Sequence, residues 1–300
     1  MNLASPERHQ NPAQASSSPR VSVVYLTKNG GPLLRESLQA VLAQTTDFAF
    51  EVVAVDSGST DGTLEFLQGQ PVKIHTIPPE SFNFGATRDL GFSLGQGEIL
   101  VTLSQDAVPA GPDWLQNLCR PFVDPGVAAV QGKERPWAGR DVFFWSRVGL
   151  FNFTRESQRW RKAHQGVGLS FVNCAVRRSV WEANRLGPVA MSEDKVFQKR
   201  LAEQGHRIVR APEAVVWHSH QYDRESLVKR CMNEGLGWRL VGVEYSGFDM
   251  LVDMCHPFIW LGFAYGLVTL RIRTAAELLF PWLRPYGLYK GNHAAGGYFF

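Results

Sequence analysis

The sequence predicts an α/β fold in which a central, mostly parallel sheet is covered by helices on both faces. Two observations carry this expectation. Short apolar runs rich in β-formers alternate with segments of helical periodicity through the first third of the chain. Hydrophobic residues make up 44% of the 300 positions and charged residues 20%, which suits a large domain with a sizeable buried core.

The first strand is expected over Val21 to Leu26. Pro32 then opens a helix whose Leu34, Leu38, Val41 and Leu42 recur on one face. Phe50 to Val55 reads as a second strand, and a short helix starts at about Asp61. Val72 to Thr76 suggests a third strand, Asn83 to Leu94 a helix, and Glu98 to Leu103 a fourth strand. In such a sheet the functional loops gather beyond the carboxyl ends of the strands. The second half is less regular, and Trp137 to Gly168 mixes aromatics and arginines without clean periodicity. Beyond it we expect a strand at Phe171 to Val176, a helix from Ser192 to about Gln204, and short strands at Ile208-Val209 and Ala214 to Trp217. A further helix is expected over Asp223 to Leu240.

Composition narrows the function. A net charge of +3 is too small and too dispersed to argue for nucleic acid. Cys119, Cys174, Cys231 and Cys255 lie far apart with no CxxC pair, which favours a reduced, cytoplasmic setting over a disulfide scaffold or a zinc site. Residues 1–20, rich in Ser, Pro, Gln and Asn, read as a disordered tail and not a secretory leader. Met254 to Leu270 is the most apolar stretch, yet it is short for a span of roughly 20 residues and is broken by His256, Pro257, Gly262 and Gly266. Arg271 and Arg273 follow it, so a docked helix, an interfacial membrane element and a span all stay open. The expected organisation is a tail over 1–20, a domain over 21–245 with halves 21–131 and 132–245, and an apolar helical extension over 246–300.

Five segments could carry chemistry. Asp56 ends the second strand ahead of Ser57-Gly58-Ser59-Thr60-Asp61, where its carboxylate could accept from a pyrimidine N–H or a ribose hydroxyl; an ordinary Asx turn explains the same residues. Arg88 lies inside a helix that Asn83 would cap, where the macrodipole does not help a cation, so either an anionic partner or plain solvation accounts for it. Asp106, just after the fourth strand, could bind a hard cation or simply form a turn. Ser192-Glu193-Asp194 would place two acids in the first turn of a helix, either as dipole partners or with Asp194 as a general base. His218 and His220 face one side of an extended segment, as a metal or phosphate site would require.

The order of these segments says more than any one of them. VSVVYLTKNG, VDSGSTDGT, FNFGATRDLG, LSQDAVP, NCAVRRSVW, SED and VVWHSH together resemble the family 2 glycosyltransferases, over roughly Val21 to Arg239. Within that family the Gln105-Asp106-Ala107-Val108-Pro109 and His218-Ser219-His220-Gln221-Tyr222 segments are most similar to bacterial rhamnosyltransferases. The resemblance implies the GT-A fold and an inverting, metal-dependent transfer of a sugar, rhamnose from dTDP-rhamnose, to an acceptor hydroxyl of a cell-surface glycan or lipid-linked intermediate. It also implies roles. Thr27, Asp56, Arg88, Gln105, Asp106 and Glu193 would bind the donor, Asp194 would be the base, and Asp106 with His218 would hold Mg2+ or Mn2+, His220 being the competing ligand. Two positions depart from the pattern: Ser104 replaces the first acid of the usual metal motif, and Asp89 stands where relatives often have Asn. The aromatic stretch Trp137 to Trp160 is expected to supply a loop that closes over the donor. The enzyme would be cytoplasmic, at the inner face of the membrane, with no nucleic-acid partner. Two other functions remain: a non-catalytic carbohydrate-binding protein on a degenerate transferase fold, and a sugar nucleotidyltransferase, of which Thr27-Lys28-Asn29-Gly30-Gly31 is a faint echo.

Overall fold

The computed structural model describes residues 18–295, so most of the expected tail, residues 1–17, lies outside the described residues. Strands β1 (Val21–Thr27), β2 (Phe50–Asp56), β3 (Lys73–Thr76) and β4 (Ile99–Leu103) alternate with helices α1 (Gly31–Leu42), α2 (Thr63–Gln68) and α3 (Phe84–Leu94). There follow β5 (Val108–Pro109), α4 (Trp114–Cys119), β6 (Val127–Arg135), α5 (Phe144–Arg147), α6 (Arg155–Ala163), β7 (Asn173–Arg177) and α7 (Arg178–Ala183). The chain ends through α8 (Glu193–Glu203), β8 (Arg207–Trp217), α9 (Arg224–Leu240), α10 (Gly247–Met254), α11 (Pro257–Val268) and α12 (Ala275–Asn292).

The strands form one mixed sheet in the order β3-β2-β1-β4-β7-β6-β8-β5. Strands β1 to β4 are parallel to their neighbours, while β7 runs antiparallel to both β4 and β6, and β6 is parallel to β8. The carboxyl ends of β1, β2, β4, β6 and β8 therefore share one edge with the amino end of β7. Side chains along β1 alternate between two buried faces as the pleat demands. Val21, Val23 and Tyr25 pack with Leu34, Leu38 and Val41 of α1 and Trp114 of α4, whereas Val24 packs with Phe92 of α3, Trp181 of α7 and Phe197 of α8.

The structure departs from expectation in the second half. β6 was not anticipated, because its far end, Gly132-Lys133-Glu134-Arg135, leaves the core and loses the apolar pattern. The two short strands expected at 208–209 and 214–217 are one strand. Its register jumps from Gln131↔Arg210 to Lys133↔Val215, and Pro212 falls inside this irregularity, where no ladder donor is needed. Ser192 precedes α8 as expected, but at φ 59° it is left-handed and its side chain caps nothing. An N-cap needs extended geometry. Asn83, at φ −146°, does cap α3 through Ala86 N.

The aromatic stretch expected to close over the donor is largely core. Phe143, Phe144 and Trp145 are buried against α12, with Trp145 stacked on Phe280 at 4.5 Å and donating from Nε1 to the Glu277 carbonyl. Trp160 is buried with Trp238, Tyr245 and Leu288. Helices α9 and α12 approach closely through glycine: a Cβ on Gly235 would lie 2.1 Å from the Leu288 carbonyl oxygen, and one on Gly291 1.9 Å from that of Met232. Gly247–Val268 is long and apolar enough to cross a membrane by length and composition, with a mean hydropathy of 1.4. It is bent at His256-Pro257 into α10 and α11, and α11 buries Ile259 and Gly266 while Leu261, Val268 and Leu270 are 65, 85 and 80% exposed.

Candidate active site

The shared strand edge holds a continuous cleft. One cavity of about 520 Å³ is lined by Thr27, Lys28, Ser57, Phe82, Arg88, Gln105 and Asp106. A second, of about 470 Å³, is lined by Asp194, Lys195, His218, His220, Tyr222, Arg230, Trp160 and Trp238. A third of about 300 Å³ joins them past Arg88, Ser104, Asp194 and Arg230.

Thr27 ends β1 and Asp56 ends β2, and the parallel register Thr27↔Asp56 sets them side by side. Thr27 Oγ1 donates to Asp56 Oδ2 at 2.9 Å. Asp56 also accepts from Gly58 N, Ser59 N and the Ser59 hydroxyl, so the Asx turn weighed from the sequence is formed around a buried carboxylate. Gln105 is paired with backbone. Its Oε1 accepts from Lys28 N and its Nε2 donates to Lys28 O, both at 3.0 Å, tying the loop after β4 to the loop after β1.

Arg88 and Glu193 are brought together. Arg88 Nη2 lies 3.0 Å from Glu193 Oε1, Nε donates to the same oxygen, and Nη1 donates to Thr102 Oγ1. The guanidinium also sits 4.8 Å over the Phe171 ring. Both side chains are only 8% exposed. Asp194, next in α8, faces the cavities, and Gly237 of α9 allows the approach: a Cβ there would come within 2.0 Å of Ser192 Oγ.

Asp106, His218 and His220 converge, with ligand atoms all within 4.8 Å of one another. Sheet pairing brings about the meeting. The antiparallel register Val108↔Trp217 runs the chain before Val108 alongside the chain after Trp217, and His218 N continues the β6–β8 ladder to Arg135 O. Glu134, at the end of β6, lies 3.3 Å from His218 Nδ1, which leaves Nε2 turned toward Asp106 at 3.6 Å. A carboxylate behind an imidazole is how protein sites fix the tautomer of a ligating histidine. Burial alone lowers the His218 pKa, but the Glu134 hydrogen bond and the nearby Asp106 outweigh it and raise the group above the ordinary histidine value. Burial and the neighbouring His218 push His220 down. One carboxylate and two imidazoles on facing elements suit a divalent cation that accepts nitrogen ligands.

Residues 22–183 match the family model described as glycosyl transferase family 2. The chain is a family 2 glycosyltransferase. It is 29% identical over 227 residues to the O-antigen chain rhamnosyltransferase RfbN of Salmonella typhimurium, covering 72% of each chain. It is 27% identical to the O-antigen chain rhamnosyltransferase WbaN of Salmonella anatum, covering 73% of this chain and 72% of that one. Among solved structures it is similar to the mannosyltransferase PcManGT of Pyrobaculum calidifontis in complex with GDP-Man and Mn2+, at a TM-score of 0.59 and 20% identity, over 92% of this chain and 88% of that one. It is also similar to glucosyl-3-phosphoglycerate synthase of Mycobacterium tuberculosis, at a TM-score of 0.58 and 17% identity, over 76 and 82% of the two chains. The fold is GT-A, as the sequence resemblance implied.

With the family in hand, the departures acquire reasons. Asp89 accepts from Trp181 Nε1, Leu186 N and Gly187 N, which pins the loop after α7 to α3; an amide would offer fewer acceptor sites for three donors. Ser104 leaves the glycosyltransferase cleft with one carboxylate after β4, and the second imidazole, His220, stands in the same cluster. Sequence reasoning missed Glu134, because β6 itself went unread, and Arg230, which looks like any solvated arginine on a helix.

The Arg88–Glu193 pair generates a stability prediction. Glu193→Gln leaves a buried guanidinium without its counter-charge and should cost about 3 kcal/mol, since breaking a buried pair is worth about 3–5 kcal/mol. Urea denaturation checks this, and an unchanged midpoint would show that the pair is not structural.

Proposed function

We propose that this glycosyltransferase moves a sugar, with rhamnose from dTDP-rhamnose as the donor read from its relatives, onto an acceptor hydroxyl with inversion and with the help of a divalent cation. The observation that carries the reading is the convergence of Asp106, His218 and His220 in a cleft that also exposes Asp194. PcManGT was solved with GDP-Man and Mn2+, and the synthase with Mn2+ and UDP-glucose, which supports a metal-assisted nucleotide-sugar reaction here.

The base and ribose would lie in the cavity beside Thr27 and Asp56, with the diphosphate toward Asp106. Asp194 would take the proton of the acceptor hydroxyl as that oxygen bonds to the anomeric carbon. The bond from that carbon to the β-phosphate oxygen breaks, and its electron pair leaves with the nucleoside diphosphate. Asp194 lies in the first turn of α8, at the positive end of the helix dipole. Asp106, His218 and His220 would hold the cation, which would supply charge neutralisation at the diphosphate, and imidazole donors favour Mn2+ over Mg2+. Tyr222 would offer an aromatic face on the acceptor side, backed by the buried Trp160 and Trp238.

The exposed apolar side of α10 and α11, with Phe248, Leu251, Phe258, Leu261 and Val268, fits an interfacial membrane contact, and Arg271 and Arg273 beyond it fit anionic headgroups. A lipid-linked acceptor would meet the cleft from that side.

Four measurements test the proposal. Asp194→Asn should lower transfer by ~10² to 10⁴-fold with donor affinity kept, because the amide cannot accept a proton; transfer at the parent rate would remove Asp194 as the base. Release of nucleoside diphosphate from a panel of nucleotide sugars should require a divalent cation and favour dTDP-rhamnose. Glu134→Gln should weaken Mn2+ binding by about 10 to 100-fold in calorimetry, and cation-independent turnover would retire the metal. Leu261→Glu with Val268→Glu should abolish sedimentation with anionic liposomes without changing turnover of a soluble acceptor. Truncation before α10 is the wrong probe, because α12 buries Phe143 and Trp145.

A further inference from the structure

The transfer proposed above needs a cation against the departing diphosphate, and the arginine that family resemblance assigns to it is already engaged. Arg88 is matched by Glu193 at 3.0 Å, bonded to Thr102 and covered by Phe171. Its charge is neutralised where it lies.

Arg230 of α9 is in the opposite condition. Its side chain is 46% exposed, and it lines both the cavity with the histidines and the passage that joins this to the nucleotide side. Its nearest acid is Glu234, at 3.7 Å. Glu234 is held more tightly by Arg284, at 2.9 Å, and Arg284 is 2% exposed. Burial pushes the Glu234 carboxyl up, but Arg284 and Arg230 outweigh it and hold it at about 2, so it stays ionised. Two guanidiniums therefore share one carboxylate. The surplus positive charge belongs to the partner that is not buried, and that partner faces the cleft. Arg230 lines the same cavity as Tyr222, His218 and His220. It thus stands beside the Asp106 cluster and across from Asp194, where the β-phosphate must lie if the sugar is to meet the base.

We infer that Arg230 binds the β-phosphate of the donor and stabilises the charge that builds there on bond cleavage. This rests on the function proposed above. The planar guanidinium suits phosphate oxygens in pairs, and a contact that tightens as charge develops acts on kcat more than on KM.

The test compares the parent enzyme with Arg230→Gln and Arg230→Lys. Arg230→Gln should lower kcat by about 10²-fold, the loss typical of removing one donor to a developing oxyanion. In calorimetry it should lose at least tenfold in affinity for dTDP but keep its affinity for dTMP, which lacks the β-phosphate. Arg230→Lys should recover part of both. A merely structural role would lower the two affinities together and lower Tm, and that result overturns the inference, as does Arg230→Gln with parent kcat and parent dTDP binding. Should Arg230→Gln not fold, Arg230→Lys carries the test, with the same selective loss of dTDP affinity expected on a smaller scale. A parent enzyme that turns over no nucleotide sugar would sink the proposed function, whereas an active parent with an indifferent Arg230→Gln sinks only this inference.

Discussion

The active site hangs on two rungs of antiparallel pairing, Val108 with Trp217 and Pro109 with Val216. Without them Asp106 and His218 belong to loops after β4 and β8, three strands apart in the sheet. With them, the residues just before β5 and just after β8 are forced into register, and the side chains meet whatever the loops between them do. The same pairing depends on β7, which runs against its neighbours and so lets β6 and β8 open toward the same edge as β1 and β2. A sheet buried on both faces resists slippage, since a shift of one residue would swap the side chains packed against each layer and undo both cores.

Legibility in the sequence followed from this architecture. Strands β1, β2 and β4 were plain because they are buried on both faces and rich in apolar β-formers, and β3 was read from the same alternating rhythm although it is largely exposed. Asn83 was readable as a cap because capping is local. The cluster around Asp106 was readable only through family resemblance. Nothing near Asp106 in the chain announces His218, and nothing near either announces Glu134, which lies on the polar, functional end of a strand. Pro212 made one strand look like two, because a proline is read as a break unless the bulge that shelters it is known. The aromatic stretch from Trp137 misled for a related reason. Its partners are α11 and α12, more than a hundred positions on, so its burial is invisible until those helices are in place.

Charge compensation then sorts the arginines. Arg88 and Arg284 are both buried, and each is tied at close range to a buried glutamate. Such pairs hold the elements they join, α3 to α8 and α9 to α12, and breaking one is costly because the remaining charge stays buried. Arg230 differs in that its glutamate is already claimed. Among the described residues its one ion-pair partner is Glu234, which Arg284 holds more closely, and Arg230 lines the cleft.

Helix α9 also explains why the C-terminal helices matter to chemistry at a distance from them. One side of α9 presents Arg230, Glu234 and Trp238 to the cavity, and the other packs on α12 through Gly235, Gly287 and Gly291. Glycine at these contacts lets the two backbones approach within van der Waals range, which leaves little room for α9 to shift alone. Arg284 reaches from α12 to hold both Glu234 and the carbonyl of Phe151. That cavity wall is the inner surface of a helical layer whose outer surface carries the exposed apolar residues of α10 and α11.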